Sequence, residues 1–266
     1  MVGLKRLGDF MKAVILAGGL GTRISEETAL RPKPMVEVGG MPIIWHIMKH
    51  LSCYDINEFI ICSGYKSSLI RDFFLNIRYY QNDITINCRE GTVSLEQKEV
   101  DPWKVTIVDS GLNVATGGRI LSVRNYLENG DFLMTYGDGV ANIDIRALQE
   151  QHKIRGNLAT VTAVKPKGRY GHLFVQEHRV ENFLEKSSEF ESWINGGYFI
   201  LNPKCLDYIP DFDTAWELGP MQRLAKEKEL AAFLHTGFWQ SMDTLREKNY
   251  LEDLWNSGAA PWKTWN

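Results

Sequence analysis

Gly18, Gly19 and Gly21 are followed closely by Arg23 and, a little later, by Lys33. All come after Ala13-Val14-Ile15-Leu16, an apolar run of strand length that Ala17 joins to the glycines. Glycine admits positive φ and lets a backbone approach a ligand closely. Successive N–H groups in such a turn can face an anion. In an open α/β sheet, ligands settle beyond the carboxyl ends of strands. With two cations beside it, this loop suits a triphosphate. Two familiar patterns are excluded. A dinucleotide fingerprint needs a third glycine where Ile24 stands, and a P-loop needs Gly-Lys-Ser/Thr where the chain has Gly21-Thr22-Arg23. On residues alone, a tight strand-to-helix connection explains the glycines equally well.

Acidic chemistry is available further along. Tyr136-Gly137-Asp138-Gly139 ends another apolar strand. A carboxylate there can hold Mg2+, which prefers carboxylate, phosphate and water oxygen. Gly-Asp-Gly is also good turn chemistry. Asp243, in Phe238-Trp239-Gln240-Ser241-Met242-Asp243-Thr244, falls between a strand and a helix, where aspartate suits an N-cap. Read alone, both aspartates are structural. Thr116-Gly117-Gly118-Arg119 opens a helix whose free N–H groups and guanidinium suit a phosphate or a base edge, or is simply a helix start with an exposed arginine. The amide of Asn195 can donate to and accept from hydroxyls. His46, on the apolar face of a helix, reads as a core histidine, and no Ser/His/Asp or Cys/His set is apparent.

These residues need elements to hold them. Ile43, Ile44, Ile47, Met48 and Leu51 recur at helical spacing behind Pro42, so 42–53 reads as a helix. Further helices are expected over 67–77, 117–128, 219–229 and 244–256. Strands are expected at 59–62, 84–86, 105–108 and 132–136, with a hairpin insertion over 93–98. The second half turns strand-rich, at 158–164, 172–176, 180–184 and 198–201. This alternation implies a mostly parallel sheet covered on both faces. The composition, 44% hydrophobic and 24% charged, is that of a globular protein, and a net charge of −3 gives no general reason to expect nucleic-acid or membrane binding. Cys53, Cys62, Cys88 and Cys205 match no zinc spacing and read as free, buried thiols of a cytoplasmic protein. No apolar run reaches transmembrane length. Met1 to Phe10 lack a signal-peptide core and read as an extension ahead of Met11.

The full string from Gly18 to Arg23, followed by Lys33, resembles the sugar-1-phosphate nucleotidyltransferases. The form Pro32-Lys33-Pro34-Met35, the Thr116–Arg119 segment and the tail Pro261-Trp262-Lys263-Thr264-Trp265 narrow the resemblance to the glucose-1-phosphate cytidylyltransferases, over Met11 to Trp265. It implies a Rossmann-like αβα sandwich with a mostly parallel mixed sheet and a small sugar-binding lobe, as one domain over 11–266. The implied reaction joins CTP and α-D-glucose 1-phosphate into CDP-glucose and pyrophosphate, a precursor of bacterial surface polysaccharides such as O-antigen. Mg2+ would sit on Asp138 and Asp243. The nucleotide would be held by Leu16, Ala17, Gly18, Gly19, Gly21, Thr22, Arg23, Thr116, Gly117, Arg119 and Gly137. The sugar phosphate would be held by Lys33, Gly171, Glu185, Lys186 and Asn195, with Arg23, Lys33 and Asp138 catalytic. Ser187 departs from the family's proline after Glu-Lys, and His172 stands where relatives carry a small apolar residue. The resemblance also implies a homo-oligomer, hexameric in these relatives. The rivals are the same chemistry with another base or sugar (thymidylyl, uridylyl or guanylyl transfer), a non-catalytic nucleotide-sugar-binding subunit, and a dehydrogenase, which the missing fingerprint disfavours.

Overall fold

The computed structural model describes residues 11–96, 100–128, 130–166, 172–176, 179–184 and 192–265. In chain order the elements are β1 (Lys12–Ala17), α1 (Ser25–Thr28), β2 (Glu37–Val38), β3 (Met41–Pro42), α2 (Ile43–Ser52), β4 (Glu58–Ser63), α3 (Ser67–Tyr80), β5 (Asp83–Asn87), β6 (Thr92–Glu96), β7 (Lys104–Asp109), α4 (Thr116–Ser122), β8 (Phe132–Tyr136), β9 (Gly139–Ala141) and α5 (Ile145–Arg155). Then follow β10 (Ala159–Val164), β11 (His172–Gln176), β12 (Arg179–Leu184), β13 (Ile194–Leu201), α6 (Pro220–Lys226), β14 (Leu230–His235), β15 (Trp239–Ser241) and α7 (Leu245–Asn256).

Seven strands form one sheet in the order β14-β10-β13-β8-β1-β4-β7. β13 runs antiparallel to both its neighbours, while the other pairs are parallel. The chain moves outward from β1 through β4 to β7, then crosses back to place β8 on the other side of β1. That reversal makes a crevice between the ends of β1 and β8. β1 explains why both faces are covered. Ala13, Ile15 and Ala17 enter one apolar cluster, with Ile43 and Ile47 of α2, Ile70 of α3, Leu148 of α5 and Leu251 of α7. Val14 and Leu16 enter a second, with Ile120 of α4 and Leu224 of α6. Side chains alternate across a strand, so a continuous apolar run feeds two cores. The result is the expected αβα sandwich with a mixed sheet.

Several elements differ from expectation. α4 stops at Ser122 and gives way to a 3-10 turn, Arg124–Tyr126, instead of running to 128. Ser122 Oγ donates to the Arg119 carbonyl at 2.7 Å, a local bond that competes with the helix ladder. α6 ends at Lys226, and Lys228 turns to φ 61° beyond it. α3 continues past 77 to Tyr80. β5 and β6 pair as the hairpin insertion, which begins earlier than expected; Gln97 and Lys98 lie outside the described residues. α5 was missed, although its ends are marked: Asp144 caps it by accepting from Ala147 N at 3.0 Å, and Gly156 closes it at φ 67°. Its apolar stripe is thin, with Ile145 and Leu148 its buried aliphatic residues.

The aromatic tail docks on the body. Trp262 is 1% exposed, and Trp255 and Trp265 pack around His46 of α2 at 4.7 and 6.0 Å between ring centroids. Trp262 Nε1 donates to His46 Nδ1 at 3.4 Å, so Nε2 carries the proton and donates to the Val38 carbonyl at 2.8 Å. Burial pushes the His46 pKa down to about 4 despite the carbonyls of Val38 and Met41. It is a neutral core histidine, as its helix face predicts. Cys62 and Cys205 are buried free thiols, whereas Cys53 and Cys88 are exposed. Among the described residues no helix is long and apolar enough to cross a membrane.

Candidate active site

The crevice takes its first wall from β1. Leu16 is in register with Tyr136 of β8, and Gly137 N donates to the Leu16 carbonyl at 3.0 Å, so the loops that follow both strands start side by side. The fold requires two of the three glycines, each for its own reason, and leaves the third free. Gly21 has φ 65°, a conformation that favours glycine, and starts a 3-10 turn over Thr22–Ile24. At Gly18 a Cβ would come within 1.9 Å of the Arg119 guanidinium. At Gly19 it would meet nothing within 4 Å, and the residue is exposed.

Lys33 lies between Pro32 and Pro34 on a 3-10 turn beneath this loop and is only 7% exposed. Its ammonium donates to Asp138 Oδ2 at 2.6 Å and to Asp243 Oδ1 at 2.7 Å. Burial alone would lower the Lys33 pKa; the two carboxylates outweigh it and the net shift is upward. Burial alone would raise that of Asp243; Lys33 and Arg23 outweigh it and the net shift is downward. Arg23 reaches Asp243 Oδ2 at 3.3 Å from the rim, with most of its side chain in solvent.

A small ribbon brings the two aspartates together. β9 pairs antiparallel with β15, setting Gly139 opposite Ser241, and Met242 N donates to the Asp138 carbonyl at 2.8 Å. Asp243 is not the cap of α7. Thr244 is, in a capping box: its hydroxyl accepts from Glu247 N, and Glu247 Oε2 accepts from Thr244 N at 2.9 Å. The Asp243 side chain is thereby freed to face Lys33. Gly137 is needed for close approach, because a Cβ would sit 3.1 Å from Pro34 Cγ and 3.2 Å from the Leu16 carbonyl. Asp138 and Asp243 thus set two carboxylate oxygens around one small cationic position. Among the described residues no group of three His, Cys, Asp or Glu could hold a metal. The Lys33 ammonium takes the cationic position here; as a donor set the two carboxylates could hold Mg2+, which completes its shell with water and phosphate oxygen, once Lys33 gives way.

Two cavities meet here. One, of about 320 Å³, is walled by Asn195, Gly196, Gly197, Tyr198 and Trp239. The other, of about 360 Å³, is walled by the Leu16 to Arg23 loop apart from Leu20, by Lys33, and by Val114 to Thr116 with Arg119. Arg23, Tyr136 and Asp138 line both. Of the expected nucleotide residues, Gly117 and Gly137 do not line either cavity. Gly117 is buried, and a Cβ there would come within 2.5 Å of the Thr214 carbonyl. Arg119 borders the second cavity but is 4% exposed, and it donates to Ser110 Oγ at 2.7 Å and to the Gly111 and Leu112 carbonyls at 2.9 and 3.2 Å. It braces the glycine loop from below. Asn195 opens the first cavity and its Oδ1 accepts from Gly197 N at 2.8 Å. Gly171, Glu185 and Lys186 lie outside the described residues. Sequence reasoning missed Tyr136, Tyr198 and Trp239. Tyr136 and Trp239 stood inside strings already singled out for their aspartates, and proximity to those acids was the available signal.

Similarity to known proteins agrees with this geometry. Glucose-1-phosphate cytidylyltransferases of Salmonella typhi and Salmonella typhimurium are each 52% identical over 256 residues, 96% of this chain and 100% of theirs. The solved inositol-1-phosphate CTP transferase from T. maritima shares the fold at a TM-score of 0.66, with 14% identity over 97% of this chain and 98% of that one. The nucleotidyl transferase family profile matches residues 12–244, across both aspartates and the glycine loop, and the chain belongs to that family.

Proposed function

We propose that the protein transfers the cytidylyl group of CTP to α-D-glucose 1-phosphate, releasing pyrophosphate and CDP-glucose. The observation that carries the reading is the Lys33 ammonium held between Asp138 and Asp243 where the two cavities meet. A phosphate oxygen of the sugar attacks the α-phosphorus of CTP; that P–O bond forms as the bond to the β-phosphate oxygen breaks. The nucleophile is already anionic near neutrality, its second pKa being about 6, so no general base is required. Bound at Asp138 and Asp243, Mg2+ would supply charge neutralisation and orientation for the α-phosphate. The cavity beside the glycine loop takes the nucleotide, with the loop N–H groups and Arg23 facing the leaving pyrophosphate. The cavity beside Asn195 takes the glucose, and Lys186 places its phosphate. Lys33 remains within reach of phosphate charge as the anions approach each other. Positioning and preorganised charge then supply most of the acceleration. The reading also takes the enzyme to be a cytoplasmic homo-oligomer, hexameric like the cytidylyltransferases it resembles, and light scattering on purified protein counts the subunits.

The test is pyrophosphate release with Mg2+ and glucose 1-phosphate across CTP, UTP, dTTP, GTP and ATP. Strong preference for CTP is expected. Activity with a different nucleotide keeps the mechanism and changes the specificity. Absence of release with every nucleotide, and with mannose 1-phosphate in place of glucose 1-phosphate, overturns the reading.

A further inference from the structure

Glu217 lies outside every motif, on the stretch between β13 and α6. Its two carboxylate oxygens are both engaged. Oε2 accepts from the Thr116 hydroxyl at 2.6 Å, and Oε1 accepts from the Tyr136 hydroxyl. Thr116 borders the cavity of the glycine loop, and Tyr136 borders both cavities. The polarity of the chain is fixed at each link. Trp216 N donates to Thr116 Oγ1 at 2.9 Å, so the Thr116 proton points to Glu217. Asn195 Oδ1 is taken by Gly197 N, which leaves its NH2 to face the Tyr136 oxygen, with which it interacts. The Tyr136 proton therefore also points to Glu217. Burial raises the Tyr136 pKa, with the Glu217 charge adding to it, so the phenol stays a donor. The ring is held as well: Gly197 has φ 80°, and a Cβ there would press to 2.7 Å from Tyr136 Cδ2.

We propose that Glu217 is a positioning residue that sets Thr116 in the nucleotide cavity and Tyr136 between the two cavities, so that one carboxylate aligns the sites for both substrates. The proposal rests on the reading above, in which one cavity takes the nucleotide and the other the sugar phosphate. If Glu217 served stability alone, its loss would lower the melting temperature and leave substrate affinity unchanged. One that positions both substrates must move both KM values. Removing an acceptor shared by two half-buried hydroxyls frees each to rotate, and hydrogen bonds to a charged group are the stronger kind.

The experiment is steady-state kinetics with CTP and glucose 1-phosphate, with melting curves, on the wild type, Glu217→Ala, Glu217→Gln, Tyr136→Phe and Tyr136→Phe/Glu217→Gln. Glu217→Ala is expected to raise both KM values roughly tenfold. Glu217→Gln keeps the volume and one acceptor and should show smaller rises in both, so it serves where the alanine variant folds poorly. In the Tyr136→Phe background the route to the sugar is already cut. There Glu217→Gln should raise the KM for CTP and add nothing to that for glucose 1-phosphate. The proposal is overturned if both Glu217 variants keep both KM values within about twofold of wild type while melting lower, or if the double variant's sugar-phosphate KM is the product of the single effects. A wild type without turnover overturns the functional reading and this proposal together; an active wild type with unmoved Glu217 variants overturns this proposal alone.

Discussion

Lys33 and His46 are both basic side chains almost wholly removed from water, yet the protein handles them oppositely. Lys33 keeps its charge because two carboxylates meet it within 2.7 Å. His46 gives up its charge because burial among tryptophan rings outweighs the Val38 carbonyl that accepts from its Nε2, and Trp262 donates to its other nitrogen. A buried charge is tolerated when paired; an unpaired titratable group becomes neutral. The difference separates a region arranged to handle phosphate charge from one arranged to close a core. The charge cluster is also the part left open to solvent, since Asp138 and Arg23 keep exposed surface. At the centre of the aromatic dock, His46 and Trp262 are closed off from solvent.

The comparison is broken most severely from the structural side. Trp262→Ala should cost about 3–5 kcal/mol, the usual range for emptying a buried aromatic site. In a chain of this size that is a fall in melting temperature of roughly 10 °C. At a temperature where the variant is still folded, both KM values should match the wild type. A Trp262→Ala protein that melts normally, or that binds CTP poorly while folded, would erase the distinction. The opposite variant is Asp138→Asn. It leaves Lys33 paired with Asp243, so the melting temperature should shift by only a few degrees. Turnover should fall on the order of 10²–10³-fold, as when one preorganised charge at a transition state is lost. Pyrophosphate release by the purified variant measures this, and near-normal rates would remove Asp138 from the chemistry.

Acid sharpens the contrast between the regions. His46 and His50 both have folded pKa values of about 4, depressed by burial, against an ordinary 6.5. Between those values the unfolded chain binds more protons than the folded one, so their contribution is complete above pH 6.5 and is lost as pH falls toward 4. That is at most roughly 3 kcal/mol for each histidine. Lys33, shifted upward, and Asp243, shifted downward, keep their pairing through this whole window. Urea unfolding midpoints should therefore decline from pH 6.5 to 4.5, and His46→Gln should flatten that decline. A flat wild-type profile would mean that the histidines are charged in the folded protein.

What could be read in the chain followed the same division. β1 and its loop were legible because an apolar run and the glycines beside it are local features. The dock was legible because a tail rich in tryptophan must find cover. The meeting of Asp138 with Asp243 was not, since the ribbon of β9 and β15 joins segments far apart and each strand has only three residues. The cap of α7 was available in the chain: Thr244 and Glu247 have capping-box spacing, and that pattern separates Thr244 from Asp243. Glu217 had no local signal at all, because its partners, Thr116 and Tyr136, lie 101 and 81 residues away.

The smallest expected effect isolates ligand from fold within a single loop. Gly18 and Gly21 are glycines for reasons internal to the protein, one giving room to Arg119 and the other adopting φ 65°. Gly19 has neither reason: its φ is ordinary, and a Cβ would point into open space on the exposed edge of the loop. An alanine there should leave the melting temperature unchanged to within the roughly 0.5 kcal/mol typical of surface substitutions. If the loop is bare so that a triphosphate can lie against its N–H groups, the added methyl should still raise the KM for CTP, by about tenfold, and leave that for glucose 1-phosphate alone. Gly18→Ala should lower the melting temperature as well, because Arg119 has to move. Equal melting temperatures and equal KM values for Gly19→Ala and the wild type would show that no ligand approaches that edge of the loop, and the nucleotide would then have to be placed deeper, against Arg119 and the start of α4.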